Sequence, residues 1–263
     1  MTLQEILTTV DTDRMTAFVP EHWGQGRATF GGLIAAIMFE RIPKSVTRNR
    51  PLRSLLITFA APIAPGQMHM VVTKLREGKS ATQIQVTSYQ NDQVCSVMMA
   101  GFGDARESSI EVTYEKAPMT LPPSKVQAFP FIPNLTPEFT DHFDYRYTVG
   151  KMPFMGSRQS VMGGWIKQKS VVNTPISIAE LLALTDAWPP ATFSMMDRPA
   201  AGSTLSWTIN FIDLPEDKTA SDWWQYEAHI QHAVDGYSHI DASIWDDTGS
   251  PVAISRQTVC IFG

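Results

Sequence analysis

Asp186 is the side chain best placed for chemistry. It lies in the run Leu182-Ala183-Leu184-Thr185-Asp186-Ala187-Trp188-Pro189-Pro190. Ile178, Leu181, Leu182 and Thr185 keep helical spacing, and Trp188-Pro189-Pro190 stops the run. Pro175 suits a first helical turn with Thr174 as its cap, so a helix is expected over 176–186. The carboxylate then stands in the last turn, where unpaired carbonyls carry the negative pole. An acid held there, near Leu182 and Trp188, should have a raised pKa and act as a general base. The plain alternative is a solvated Asp at a frayed helix end.

Other polar groups carry less information. Gln257 alternates with Ser255, Val259 and Ile261 on a strand whose two faces look largely apolar. A buried amide needs partners, so a structural hydrogen bond is the rival to any functional role. Thr204 starts a strand, where a threonine is ordinary. By alternation it shares a face with Ser206, Thr208 and Asn210, while Leu205, Trp207, Ile209 and Phe211 form the apolar face. Gly31-Gly32 opens an apolar helix, so a ligand could approach free N–H groups there, or the glycines could simply permit close packing. The histidines are scattered, and no Gly-x-Ser-x-Gly elbow accompanies them, which argues against a serine-hydrolase triad.

Composition bounds the rest. The 263 residues are 43% hydrophobic and 18% charged, which describes a globular protein with a real core. The net charge is -5 with no basic run, so nucleic acid is not an expected partner. No apolar run is long enough to span a bilayer, and the first residues lack a signal-peptide profile. Cys95 and Cys260 read as two buried free thiols in a reducing cytoplasm. No Cys or His spacing indicates a metal, and no cofactor is implied.

Two halves are visible. In the first, an apolar helix over 30–42 precedes strands over 52–61, 67–75, 81–89 and 93–102, and a short helix over 3–10 and a strand over 14–19 come before it. From Leu33 to Phe39 the helix is apolar on every face, so a curved sheet must wrap it. Six of the 18 prolines fall within 107–140, which reads as a linker laid over the surface. Strands over 142–149 and 164–171, the helix carrying Asp186, and strands over 203–212, 222–233, 237–245 and 252–262 follow. Ala100-Gly101-Phe102-Gly103 is echoed by Cys260-Ile261-Phe262-Gly263, and Thr58-Phe59 by Asn210-Phe211. The repetition points to a duplicated α+β module: 1–106, the linker 107–140, and 141–263. The two sheets would join edge to edge.

On these residues the chain resembles the acyl-CoA thioesterase II family. The likeness runs through Val71-Val72-Thr73-Lys74-Leu75-Arg76-Glu77-Gly78-Lys79-Ser80, Gly164-Trp165-Ile166-Lys167, Asp186, 204–211 and Arg256-Gln257. It implies a double hotdog fold and hydrolysis of fatty acyl-CoA by an Asp-activated water. It implies that Asp186, Thr204 and Gln257 hold that water, and that amides at Gly32 or Leu33 receive the oxyanion. Ser206 stands where the family's strand has an Asp, which leaves Ser203 as a rival to Thr204. A homodimer is expected from the same likeness. A hotdog enoyl-CoA hydratase or dehydratase, or a non-catalytic acyl-CoA-binding protein, are the alternatives; the hydratases pair their Asp with a His, and here Ala-Trp-Pro-Pro follows Asp186.

Overall fold

Alternating apolar residues set the strands close to where spacing predicts them. The structure is a computed structural model that describes residues 1–10 and 15–262. The first half contains α1 (Leu3–Thr8), β1 (Thr16–Val19), a small hairpin of β2 (Gly24–Gln25) and β3 (Ala28–Thr29), α2 (Gly31–Glu40), α3 (Lys44–Thr47), β4 (Leu52–Phe59), β5 (Gly66–Glu77), β6 (Ala81–Gln90) and β7 (Gln93–Gly103). The second contains β8 (Phe143–Gly150), β9 (Val161–Gln168), α4 (Ile178–Asp186), β10 (Ala201–Phe211), β11 (Trp224–Val234), β12 (Tyr237–Trp245) and β13 (Pro251–Phe262). Arg14, placed in the first strand by sequence, and Gly263, part of the terminal echo, lie outside the described residues.

One 11-stranded sheet runs in the order β1-β5-β6-β7-β4-β10-β13-β12-β11-β9-β8. The halves meet where β4 pairs antiparallel with β10. Across that seam Leu55 faces Ile209 and Ile57 faces Trp207, and all four are buried on the inner face. Fusing the two sheets there removes an exposed edge from each.

Both central helices pack on this inner face and on each other. Gly32 through Met38 of α2 are all buried, as an all-round apolar helix requires. The last residue of α4, Asp186, touches the first residues of α2, Gly31 and Gly32. At the far end Glu40 of α2 lies in the field of Glu180 of α4. The two helices are therefore antiparallel neighbours.

The start of α4 differs from the expected Thr174–Pro175 cap. Ser177 is the N-cap: its hydroxyl accepts from the Glu180 N–H at 3.2 Å, and the Glu180 carboxylate accepts from the Ser177 N–H at 2.8 Å. This reciprocal box satisfies two donors at once.

The proline-rich segment has no strand or α-helix, only short 3-10 turns at Pro123–Lys125 and Glu138–His142. It is tied down by a row of side chains that are neighbours across β12, β11 and β9. Trp245, Gln225 and Trp165 donate to the carbonyls of Glu115, Pro118 and Leu121, each at 2.9 Å. Every third carbonyl is used, which is the period of an extended polyproline-type chain. No helix among the described residues is long and apolar enough to cross a membrane.

Candidate active site

Asp186 ends α4 on a half-buried surface, where both Gln257 and the N-terminus of α2 reach it. The Gln257 amide Nε2 donates to Asp186 Oδ1 at 2.7 Å. The Gly32 backbone amide also favours the charged carboxylate. Burial acts more strongly in the other direction and pushes the Asp186 carboxyl up to about 7. The carboxylate that stood at the wrong end of its own helix therefore stands at the positive end of the other one.

The glycines of α2 make that approach possible. A Cβ on Gly31 would lie 3.0 Å from Asp186 Oδ2 and 3.3 Å from Phe59 Cζ. A Cβ on Gly32 would lie 3.0 Å from the Asp186 Cβ and 2.4 Å from Phe30 Cζ. The N-cap, Phe30, provides no side-chain hydrogen bond, so this helix start is open where that of α4 is closed. Leu33 follows in the same turn and is fully buried.

Thr204 reaches the inner face through a bulge that strand alternation does not foresee. Thr204 is opposite Val259, Ser206 is opposite Thr258, and Leu205 is the extra residue between them. Leu205 turns outward and is 46% exposed. Thr204 thereby joins Trp207, Ile209 and Gln257 on the inner face, and the face it was expected to share with Ser206, Thr208 and Asn210 is corrected. Ser203, opposite Cys260, is exposed on the outer side. Among the described residues no side-chain hydrogen bond ties the Thr204 hydroxyl to Asp186 or Gln257.

Several neighbours escaped the sequence reading. Trp207 is the cross-strand partner of Gln257, and its indole N–H donates to the Ser255 hydroxyl at 2.8 Å in the core. Ser255 sits two residues before Gln257 on the same face of an apolar strand, and that repeat of polar residues was the available signal. The Tyr145 hydroxyl donates to the Ala187 carbonyl at 3.0 Å and so satisfies a group at the end of α4. The Asp186 charge helps to hold the buried Tyr145 and Tyr226 phenols un-ionised, after burial itself. Trp188 stacks on Tyr226 with ring centroids 5.1 Å apart. Trp188 was expected beside Asp186, but nothing in the spacing of Tyr145 and Tyr226 marks them as site neighbours. Arg256, next to Gln257, is exposed and forked onto Asp241.

Chemically, the cluster offers a carboxylate that titrates near neutrality, an amide that orients it, a hydroxyl on the same sheet face, and an open helix N-terminus. That set fits proton abstraction from water beside a site for negative charge.

Two family models match the chain in succession. An acyl-CoA thioesterase C-terminal domain matches residues 122–261, and an acyl-CoA thioesterase N-terminal domain matches residues 19–103. No curated protein sequence matches the chain. Solved structures show a hotdog fold. A conserved protein of unknown function with a hot dog fold from Alicyclobacillus acidocaldarius is 22% identical, with 94% of this chain and 92% of that one covered and a TM-score of 0.82. A putative thioesterase II from Thermobifida fusca YX is 16% identical over 100% and 98% of the two chains, TM-score 0.83. An acyl-CoA thioesterase II, TesB2, from Mycobacterium marinum is 17% identical over 100% and 99%, TM-score 0.78.

Proposed function

The chain belongs to the acyl-CoA thioesterase II family and is a thioester hydrolase; from that premise we propose that it cleaves fatty acyl-CoA with a water activated by Asp186. The observation that carries the reading is the Asp186 carboxylate, raised to about 7 and held between Gln257 and the start of α2. Asp186 takes a proton from the water, and the water oxygen attacks the thioester carbon. Gln257 and Thr204 orient that water. The oxyanion forms against the backbone amides of Gly32 or Leu33, at the positive pole of α2. The tetrahedral intermediate then expels the CoA sulfur, which recovers the proton from Asp186.

The two halves act as tandem hotdog modules, divided as 1–106, 107–140 and 141–263, with one site per chain. The pseudosymmetric position supports this. There α2 ends in an exposed Glu40, and the Glu180 carboxylate is bound by Ser177 and by Gln4 of α1. The reading includes a homodimer through the outer sheet face near exposed Leu56, and a cytoplasmic setting, with which the free Cys95 and Cys260 agree, although Cys260 is half-buried rather than buried as expected. A hydratase asks for a His beside the Asp; the partners of Asp186 are Gln257 and the Gly32 amide.

Free-thiol release from a panel of acyl-CoA chain lengths tests the proposal. Asp186→Asn should lower release by about two orders of magnitude or more. Thr204→Val should lower it by about tenfold, and Ser203→Ala should leave it unchanged. Full activity in Asp186→Asn would remove Asp186 from the chemistry.

A further inference from the structure

We propose that Phe193 is the stop that sets how long an acyl chain the site accepts. The inference rests on the thioesterase reading above and names a residue that reading does not use. Gly202 lies two residues before Thr204 on β10, ahead of the bulge, and so shares the inner face with it. A Cβ on Gly202 would meet Phe193 Cζ at 2.8 Å and Cε1 at 3.3 Å. The glycine therefore leaves room for a ring to lie directly on the strand. An alkyl chain leaving the Asp186–Thr204 region along the inner face in this direction meets that ring.

The ring is held in place from several sides. The Phe193 N–H donates to the Pro190 carbonyl at 2.9 Å, and its own carbonyl accepts from the Phe154 N–H at 2.7 Å. The Phe154 ring is 5.1 Å away between centroids. The two loops are zipped further by Ser157 N–H to the Ser194 carbonyl at 2.7 Å and Gly156 N–H to the Met196 carbonyl at 2.9 Å. Thr192 shares a hydroxyl hydrogen bond with Ser238, which is opposite Val259, itself opposite Thr204. The segment thus closes the inner face one row of side chains beyond Thr204.

The chemistry of this wall suits a hydrocarbon. Phe193 and Phe154 are half-buried, and Met152, Met155 and Met195 are exposed outside them. The charged residues of the two loops, Lys151, Arg158, Asp197 and Arg198, are all exposed. The surface turned to Gly202 is aromatic, while pantetheine and phosphates would ask for polar partners.

The test is kcat/KM for even-numbered acyl-CoAs from butanoyl to hexadecanoyl in wild type, Phe193→Ala and Phe193→Trp. Phe193→Ala should move the optimum to longer chains, with a gain of about fourfold for each methylene newly accommodated. Phe193→Trp should move it to shorter chains. Kd values for the matching alkyl-CoA thioethers, which are not hydrolysed, should shift in the same sense. Folded variants that change every chain length by one common factor would overturn the proposal and place Phe193 on the entry path of the CoA arm. Absence of thiol release in wild type would count against the hydrolytic reading alone, because the thioether series still reads the chain-length stop.

Discussion

Gln257 and Asp186 stand 71 residues apart in the chain, yet the amide nitrogen of one lies 2.7 Å from the carboxylate of the other. The bond opposes burial and keeps the carboxyl from rising further. Gln257→Leu should therefore move the acid limb of the kcat/KM profile upward from about 7, since a carboxyl without this donor ionises later. The rate on the alkaline plateau should also fall by about tenfold or more, as the donor serves a charged group. A pH profile measured across the neutral range checks both. An unmoved limb with an unchanged plateau would reduce Gln257 to a structural amide.

The same carboxyl ties the proposed chemistry to stability with a definite sign. Its ordinary value is 3.8, and the fold raises it to about 7. Between these values the folded protein binds more protons than the unfolded chain, so stability falls as pH rises through this window and then levels. Asp186→Asn removes the titration. It should raise Tm relative to wild type at pH above about 7 and lose that advantage near pH about 4. Thermal melts at the two pH values read the difference, and an equal Tm gap at both would separate stability from this ionisation.

At Gly32, space and chemistry coincide. An added methyl would press on the Asp186 Cβ and, harder, on the Phe30 ring, which stacks on Phe139 with centroids 4.1 Å apart. Gly32→Ala should cost about tenfold to a hundredfold in kcat, because catalytic geometry tolerates little displacement. Far-ultraviolet circular dichroism should stay close to wild type. Full activity would show that the ring and carboxylate yield without consequence.

Much of the fold was legible because strands announce themselves by alternation and helices by spacing. Asp186 was conspicuous for a local rule it breaks. The compensation was not legible, since the helix end that meets the carboxylate comes from the opposite half of the chain. Thr204 shows the limit more sharply. Alternation assigns it to the polar face of β10, and one inserted residue at Leu205 reverses that assignment. A bulge depends on how two strands pair, and neither strand encodes that alone. The cap of α4 was misplaced by a few residues because Pro175 and Ser177 are both good starters, and only the reciprocal bonds with Glu180 decide between them.

The antiparallel pairing of α2 and α4 has a further consequence. Two identical subunits related by a twofold axis must carry the same groups at both ends of such a pair. A single chain is free to divide the labour. Here Ser177 and Glu180 shut one helix start, while Phe30 and two glycines leave the other open to a carboxylate contributed by the opposite half. In the proposed mechanism acid–base character comes from one half and the electropositive pole from the other. If the proposed mechanism holds, neither half expressed alone carries a complete centre, and a tight substrate analogue should titrate one equivalent per chain.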